Sequence, residues 1–210
     1  MNLQKINTEY FRIKKDLGHR PSRVELFENI DEELLFIMKK NSNNNIFKDY
    51  IGYLEYINEL EEIEINALDT FCKDFLNMIE NTSMSKSYKM PFLLSFYNDG
   101  KLKEIIDNDD LYISFKNFYT DKENSVDMYA DKNTKEFEKW DKKEYIKIAR
   151  INPVKYMLNS ESKFFELDGE KIVAKGLGKF SNNEFFIKNI KDAIDFRIKQ
   201  YYKTKYGSDS

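Results

Sequence analysis

Apolar residues recur at helical spacing along most of this chain, and the pattern predicts a mainly α protein. Over 3–17, Ile6, Tyr10, Ile13 and Leu17 fall three or four apart, which places them on one helix face. Gly18 follows as a C-terminal stop. In His19-Arg20-Pro21-Ser22, Ser22 is a good N-cap, and Glu25 three residues on completes a capping box. The helix it starts carries Val24, Leu26 and Phe27 and ends near Asn29. A long helix, a Gly-Pro turn and a short capped helix make a helix-turn-helix outline. A third short helix over 31–40 turns Leu34, Leu35 and Met38 inward, and a polar break at 41–45 follows. Helical spacing resumes over 46–60 and 61–79, read as an antiparallel pair with the acidic run Glu59, Glu61, Glu62 and Glu64 at its junction.

The polar stretch 81–87 marks the expected domain boundary, near Ser83. It separates a helical domain (1–82) with a helix-turn-helix-like start from a winged-helix-like α+β domain (83–210). In the second part, 88–97 reads as an apolar helix with Pro91 in its first turn, stopped by Asn98-Asp99-Gly100. A short strand is expected over 101–106. A helix capped by Asp109 or Asp110 follows to Tyr119, and 121–134 is polar and reads as a loop. Asp141 caps a helix over 142–150, and after Asn152-Pro153 one or two further turns reach Leu158. The clear β signal is Lys163 to Lys175, where Asp168-Gly169 between β-formers announces a two-residue hairpin. A helix followed at once by a hairpin is the outline of a winged helix. A last helix, 183–202, carries Phe186, Ile190, Ala193, Ile194 and Ile198 on one face before a polar tail. The expected fold is thus mainly α with a small β-hairpin.

Composition narrows the chemistry. One Cys (Cys72) and one His (His19) leave no disulfide framework, no Cys-based zinc site and no parts for a Ser-His-Asp centre. Lys plus Arg number 34 against 37 Asp plus Glu, a net charge of −3, which excludes a polybasic coat for nucleic acid but not a local basic patch. Charges at Lys5, Glu9, Arg12 and Lys14 rule out an apolar signal region, and no stretch approaches the roughly 20 apolar residues of a membrane span. A cytoplasmic protein without a membrane partner, metal or cofactor is expected.

Two basic constellations stand out. The first, Arg20, Ser22 and Arg23 with Arg12, Lys14, Lys15 and His19, surrounds the turn before the second helix, where positive charge and free N–H groups favour phosphate. The second comprises Lys86 and Lys89, then Lys142, Lys143, Lys147, Arg150 and Lys155 along the helix before the hairpin, and Lys171 on the hairpin itself. Tyr88, Tyr145 and Tyr156 accompany them. The plainer readings are a capped helical corner and a mixed charged surface. A nuclease site finds weak support: Glu166, Asp168, Glu170 and Lys171 face one another across the hairpin, but a Glu-x-Lys strand with an upstream Asp is missing. Gly176-Leu-Gly178-Lys179 lacks the spacing and hydroxyl of a phosphate-binding loop.

The stretch SKSYKMPFLLSFYNDGKLKEIIDNDDLYISFKNFY (85–119) resembles the C-terminal accessory region of bacterial DEAD/DEAH-box helicases related to the type III restriction subunits of Firmicutes. HRPSRVELF, EFEKWDKKEYIKIARINPVKYML and FIKNIKDAIDFRIKQYY are similar to further parts of that region. The resemblance covers most of the chain and rests on packing and turn patterns; no motor motif accompanies it. It implies a non-catalytic region serving a helicase or restriction-type defence system, with ATP hydrolysis elsewhere. Two functions follow as expectations: a module that binds nucleic acid, specifically duplex DNA, or a scaffolding domain that docks on a helicase motor or partner subunit. The second is favoured by the −3 charge and by 17 Phe and 14 Tyr.

Overall fold

The computed structural model describes residues 3–41, 44–98 and 100–207. The polar break at 41–45, the Asn98-Asp99-Gly100 stop and the polar tail therefore fall partly outside the described residues. The fold is mainly helical with a small antiparallel sheet. The first three helices are α1 (Leu3–Leu17), α2 (Arg23–Asn29) and α3 (Glu32–Lys40). Gly18 ends α1 at φ +75°, its N–H bonded to the Lys14 carbonyl. Ser22 and Glu25 form the expected capping box of α2.

The next segment departs from a simple helical pair. A single 3₁₀ turn (Ile46–Lys48) leads into α4 (Tyr50–Tyr56), and the expected long helix splits into α5 (Glu62–Ala67) and α6 (Thr70–Asn81). The split has a local cause: Asp69 accepts the N–H of Cys72 and starts α6 afresh. No residue of α5 is buried.

In the second half, α7 (Lys89–Leu94) is followed by a two-residue hairpin pair, β1 (Tyr97–Asn98) and β2 (Lys101–Leu102), and then β3 (Ile105–Ile106). Asp107, rather than Asp109 or Asp110, caps α8 (Asn108–Thr120). The stretch read as a loop contains α9 (Lys122–Tyr129), whose inner face holds the polar Ser125 and Asp127 beside Met128. α10 (Lys142–Ala149) runs through a π-helical turn (Arg150–Val154) into α11 (Lys155–Ser160). β4 (Phe165–Asp168) and β5 (Lys171–Ala174) form the hairpin, and α12 (Glu184–Tyr206), capped by Asn183, closes the chain. Asp168 pairs with Lys171, so the loop is Gly169-Glu170. Gly169 has φ +59° and Glu170 does not share a positive φ, the arrangement in which glycine is wanted first. The sheet order is β3-β5-β4, all antiparallel. The inner strand of the hairpin, β5, thus pairs back to β3, which precedes α8.

The packing does not divide at Ser83. One apolar cluster joins α1, α2, α3 and α4, and takes Phe196 from α12, which stacks on Phe47 at 4.7 Å. The larger cluster joins α6 to α7, α8, the sheet and the rest of α12. Helix α6 thus packs with the C-terminal part, and α12 spans both cores.

Candidate nucleic-acid interface

The arginines of the basic turn between α1 and α2 are bound within the chain. Arg23 is fully buried, its Nε donating to Glu80 at 2.6 Å and its Nη1 to Asp192 at 2.9 Å and to Asn189 at 3.0 Å. Asp192 also accepts the backbone N–H of Arg23 at 3.0 Å and lies 3.4 Å from that of Val24. The N–H groups expected to receive a phosphate at the start of α2 therefore hold a carboxylate from the same chain. Ser22 is occupied as the N-cap, and His19 meets Glu25 at 2.9 Å. Arg20 donates to both oxygens of Glu64, at 2.7 Å for Nη1, and to the Glu59 carbonyl at 2.6 Å. Lys14 meets Glu59 at 2.6 Å. Lys14 and Arg20 of the basic stretch thus meet Glu59 and Glu64 of the acidic run, separate in sequence, and the Arg20 contact holds the Glu64 carboxyl below its usual pKa.

Several cations of the second constellation are also engaged. Lys86 pairs with Asp131, Lys142 with Asp109, and Lys89 donates to Thr82 Oγ1 at 3.0 Å, with burial lowering its pKa. Arg150 donates to Asn108 Oδ1 from Nε (3.0 Å) and Nη2 (2.7 Å) and reaches the Glu170 carbonyl, so it ties the π turn to α8 and to the hairpin loop. These side chains position elements.

What remains is a row on the helical run 142–160. Lys143, Lys147, Ile151, Lys155 and Asn159 follow one another at intervals of four and all are exposed, with Tyr156 beside them. Lys143, Lys147 and Lys155 form no ion pair among the described residues. Ile151 and Tyr156 are 57% and 56% exposed. The opposite face buries Tyr145, Ala149, Val154 and Met157. Tyr145 packs edge-on against Tyr112 of α8 at 5.9 Å and donates to the Phe137 carbonyl at 3.2 Å. The capping box of Asp141 and Glu144 starts the run.

Pro153 explains the π turn and the turn explains the row. Proline has no N–H and its ring crowds the carbonyl four residues back, and a widened turn absorbs both. Four residues of an α-helix overshoot one full turn by about 40°, so a row at intervals of four normally winds off its face. The wider π turn rotates less per residue and takes back part of that drift. Lys143 and Lys155 are thereby kept nearer one face than a regular helix allows. The sequence pattern marks the lysines; the exposed Ile151 between them emerges only from the structure.

The hairpin beside this row is of opposite character. Glu166, Asp168 and Glu170 are exposed at its end, with Lys171 exposed opposite Asp168. The described residues contain no group of three His, Cys, Asp or Glu side chains spaced to hold a metal ion, and no helix among them is long and apolar enough to cross a membrane. Comparison with protein families, with curated proteins and with solved structures finds no match to this chain.

Proposed function

We propose that this protein is a non-catalytic module that binds duplex DNA through the exposed row of 142–160, as an accessory to a helicase-type motor. The carrying observation is that Lys143, Lys147 and Lys155 share one exposed face of a helix that leads directly into a hairpin, and none of them is neutralised by a carboxylate among the described residues. Uncommitted cations on a rigid helix are what phosphate contact requires, because each phosphate neutralised releases a counterion. The acidic hairpin end repels a phosphate backbone, so the contact rests on the helix and Lys171 contributes little. The motor enters through the resemblance of 85–119 to helicase accessory regions.

A salt titration of binding to a labelled duplex tests this reading. Wild-type protein binds at low salt with a linear fall of log affinity against log salt. Reversing Lys143, Lys147 and Lys155 to Glu lowers that slope by about 2 to 3, one contact per lysine. Failure of the wild type to bind at low salt, or an unchanged slope in the triple variant, overturns it.

A further inference from the structure

An open groove of about 830 Å³ lies between α3, the end of α6 and the C-terminal half of α12. None of the residues in the lysine row of 142–160 lines it. Its apolar lining comes from Phe27, Leu35, Phe36, Met38, Phe47 and Met84. Most of these are held in the smaller core or packed against it, yet Phe36 is 57% exposed, with the Lys40 ammonium 4.2 Å from its ring centre.

The charged lining is one-sided. Lys39, Lys48, Arg197, Lys203 and Lys205 line the groove, whereas its carboxylate, Glu80, is bound to Arg23. Lys205 and Lys203 already hold Asp127 at 2.9 Å and Glu32 at 3.4 Å. Lys39 and Arg197 pair with no carboxylate among the described residues. Arg197 is the more telling of the two. Its Nη1 donates to Gln200 Oε1 at 2.5 Å and its Nη2 to the Thr82 carbonyl at 2.5 Å, both neutral acceptors, and its Nε is buried with no partner. Buried charges in proteins are ordinarily paired. The Arg197 guanidinium, largely withdrawn from water beside an apolar wall, feels Glu80 only beyond ion-pair distance, and Arg23 already claims that carboxylate, so a further carboxylate brought by a partner is matched there.

We propose that this groove docks an acidic segment of a partner protein, with apolar side chains of the partner against Phe36 and Met84 and a carboxylate on Arg197 and Lys39. A nucleic-acid strand fits less well. Its affinity grows with the number of uncommitted cations, and two of those at the groove are spent on Asp127 and Glu32. The floor is aliphatic and aromatic, and methionines at a groove adapt to a partner's side chains. The apolar and cationic lining together select a ligand with both characters, as an amphipathic acidic peptide has.

The test is selection from a random 12-residue peptide display library on the full chain, followed by binding of the enriched synthetic peptides in solution. Enriched peptides carry Asp or Glu next to Phe, Leu or Met, and replacing their carboxylates by amides weakens binding about tenfold or more. Lys39→Glu, a reversal at an exposed site that leaves folding intact, weakens it to a similar extent, and Phe36→Ser removes the apolar part. Arg197→Gln, checked for folding by its thermal transition, abolishes the preference for acidic over amidated peptides. The proposal is overturned if no peptide is enriched on the wild type over the Lys39→Glu protein, if the enriched peptides lack acidic residues, or if a single-stranded oligonucleotide displaces them while binding the groove itself.

Discussion

Asp192 holds Arg23 twice, accepting its backbone N–H at 3.0 Å and its guanidinium at 2.9 Å. A single carboxylate on α12 thereby caps the start of α2 and, with Glu80 from α6, encloses a fully buried charge. The guanidinium also lies 4.9 Å from the Tyr50 ring centre, whose hydroxyl donates to the Pro21 carbonyl at 2.7 Å. The network joins the two apolar clusters across residues far apart in sequence.

Removing one partner strands the others, and that sets the expected cost. Arg23→Ala leaves Glu80 buried without its counterion and is expected to destabilise the fold by about 3 to 5 kcal/mol. Arg23→Met with Glu80→Leu, which removes both charges, costs less than Arg23→Ala alone. Urea unfolding of the three proteins measures both differences, and equal losses for the single and double variants would contradict the network's role.

The same network gives stability a distinctive pH dependence. Burial raises the pKa of Glu80 to about 7, against the opposing pull of Arg23. A folded-state pKa above the unfolded value means that the folded form binds the extra proton. This stabilising contribution is full below the ordinary carboxylate range and is lost as pH rises toward 7. The size is on the order of 3 kcal/mol. Measured between pH 5 and 7.5, wild-type stability carries this downward slope and Glu80→Gln lacks it; parallel profiles for the two proteins would refute the assignment.

Asp127 works in the opposite sense. Burial pushes its pKa up, but hydrogen bonds from Tyr206, Lys205, the Ser87 N–H and Tyr201 outweigh that and hold it below the usual value. These donors lie at 2.6, 2.9, 2.7 and 2.8 Å and tie α9 to the end of α12. Its stabilisation is present above about pH 4 and lost as pH falls through the lowered folded value. Asp127→Asn turns an acceptor of four donors into a poorer one and is expected to cost about 2 to 4 kcal/mol. Amide exchange of residues 201–206 should quicken in that variant; unchanged protection there would show that α12 does not depend on it.

Local signals in the sequence carry over into the fold, and distant ones do not. The Ser22–Glu25 box and the Asp141 cap are legible because each lies within one turn of the helix it starts. Helix α9 is hidden because its inner face is polar, and three of the four donors that make a buried Asp127 tolerable, Tyr201, Lys205 and Tyr206, lie more than 70 residues away. The split at Asp69 is masked because Ile63 and Ile65 continue an apolar count although both face solvent. At the candidate site, Lys143 and Lys147 are legible from their spacing. Arg20 and Arg23 look available for phosphate because the carboxylates that claim them, Glu64, Glu80 and Asp192, stand 44, 57 and 169 residues away.

That contrast yields a paired prediction. Arg20→Glu places a carboxylate against Glu64 and the Glu59 carbonyl, so α5 loses its anchor to the turn after α1. It is expected to lower stability by about 1 to 3 kcal/mol, since a part-buried acceptor pair is left facing a like charge. Binding to a duplex, measured at a temperature where the variant remains folded, should be unchanged. Lys147→Glu reverses an exposed charge with no ion pair, so the unfolding midpoint should stay within about 0.5 kcal/mol of wild type, while duplex affinity at low salt falls and its salt slope decreases by about 1. Each variant is thus silent in the assay where the other responds. If Arg20→Glu weakens duplex binding as much as Lys147→Glu does, the basic turn belongs to the nucleic-acid surface after all, and the assignment of that surface to 142–160 alone is wrong.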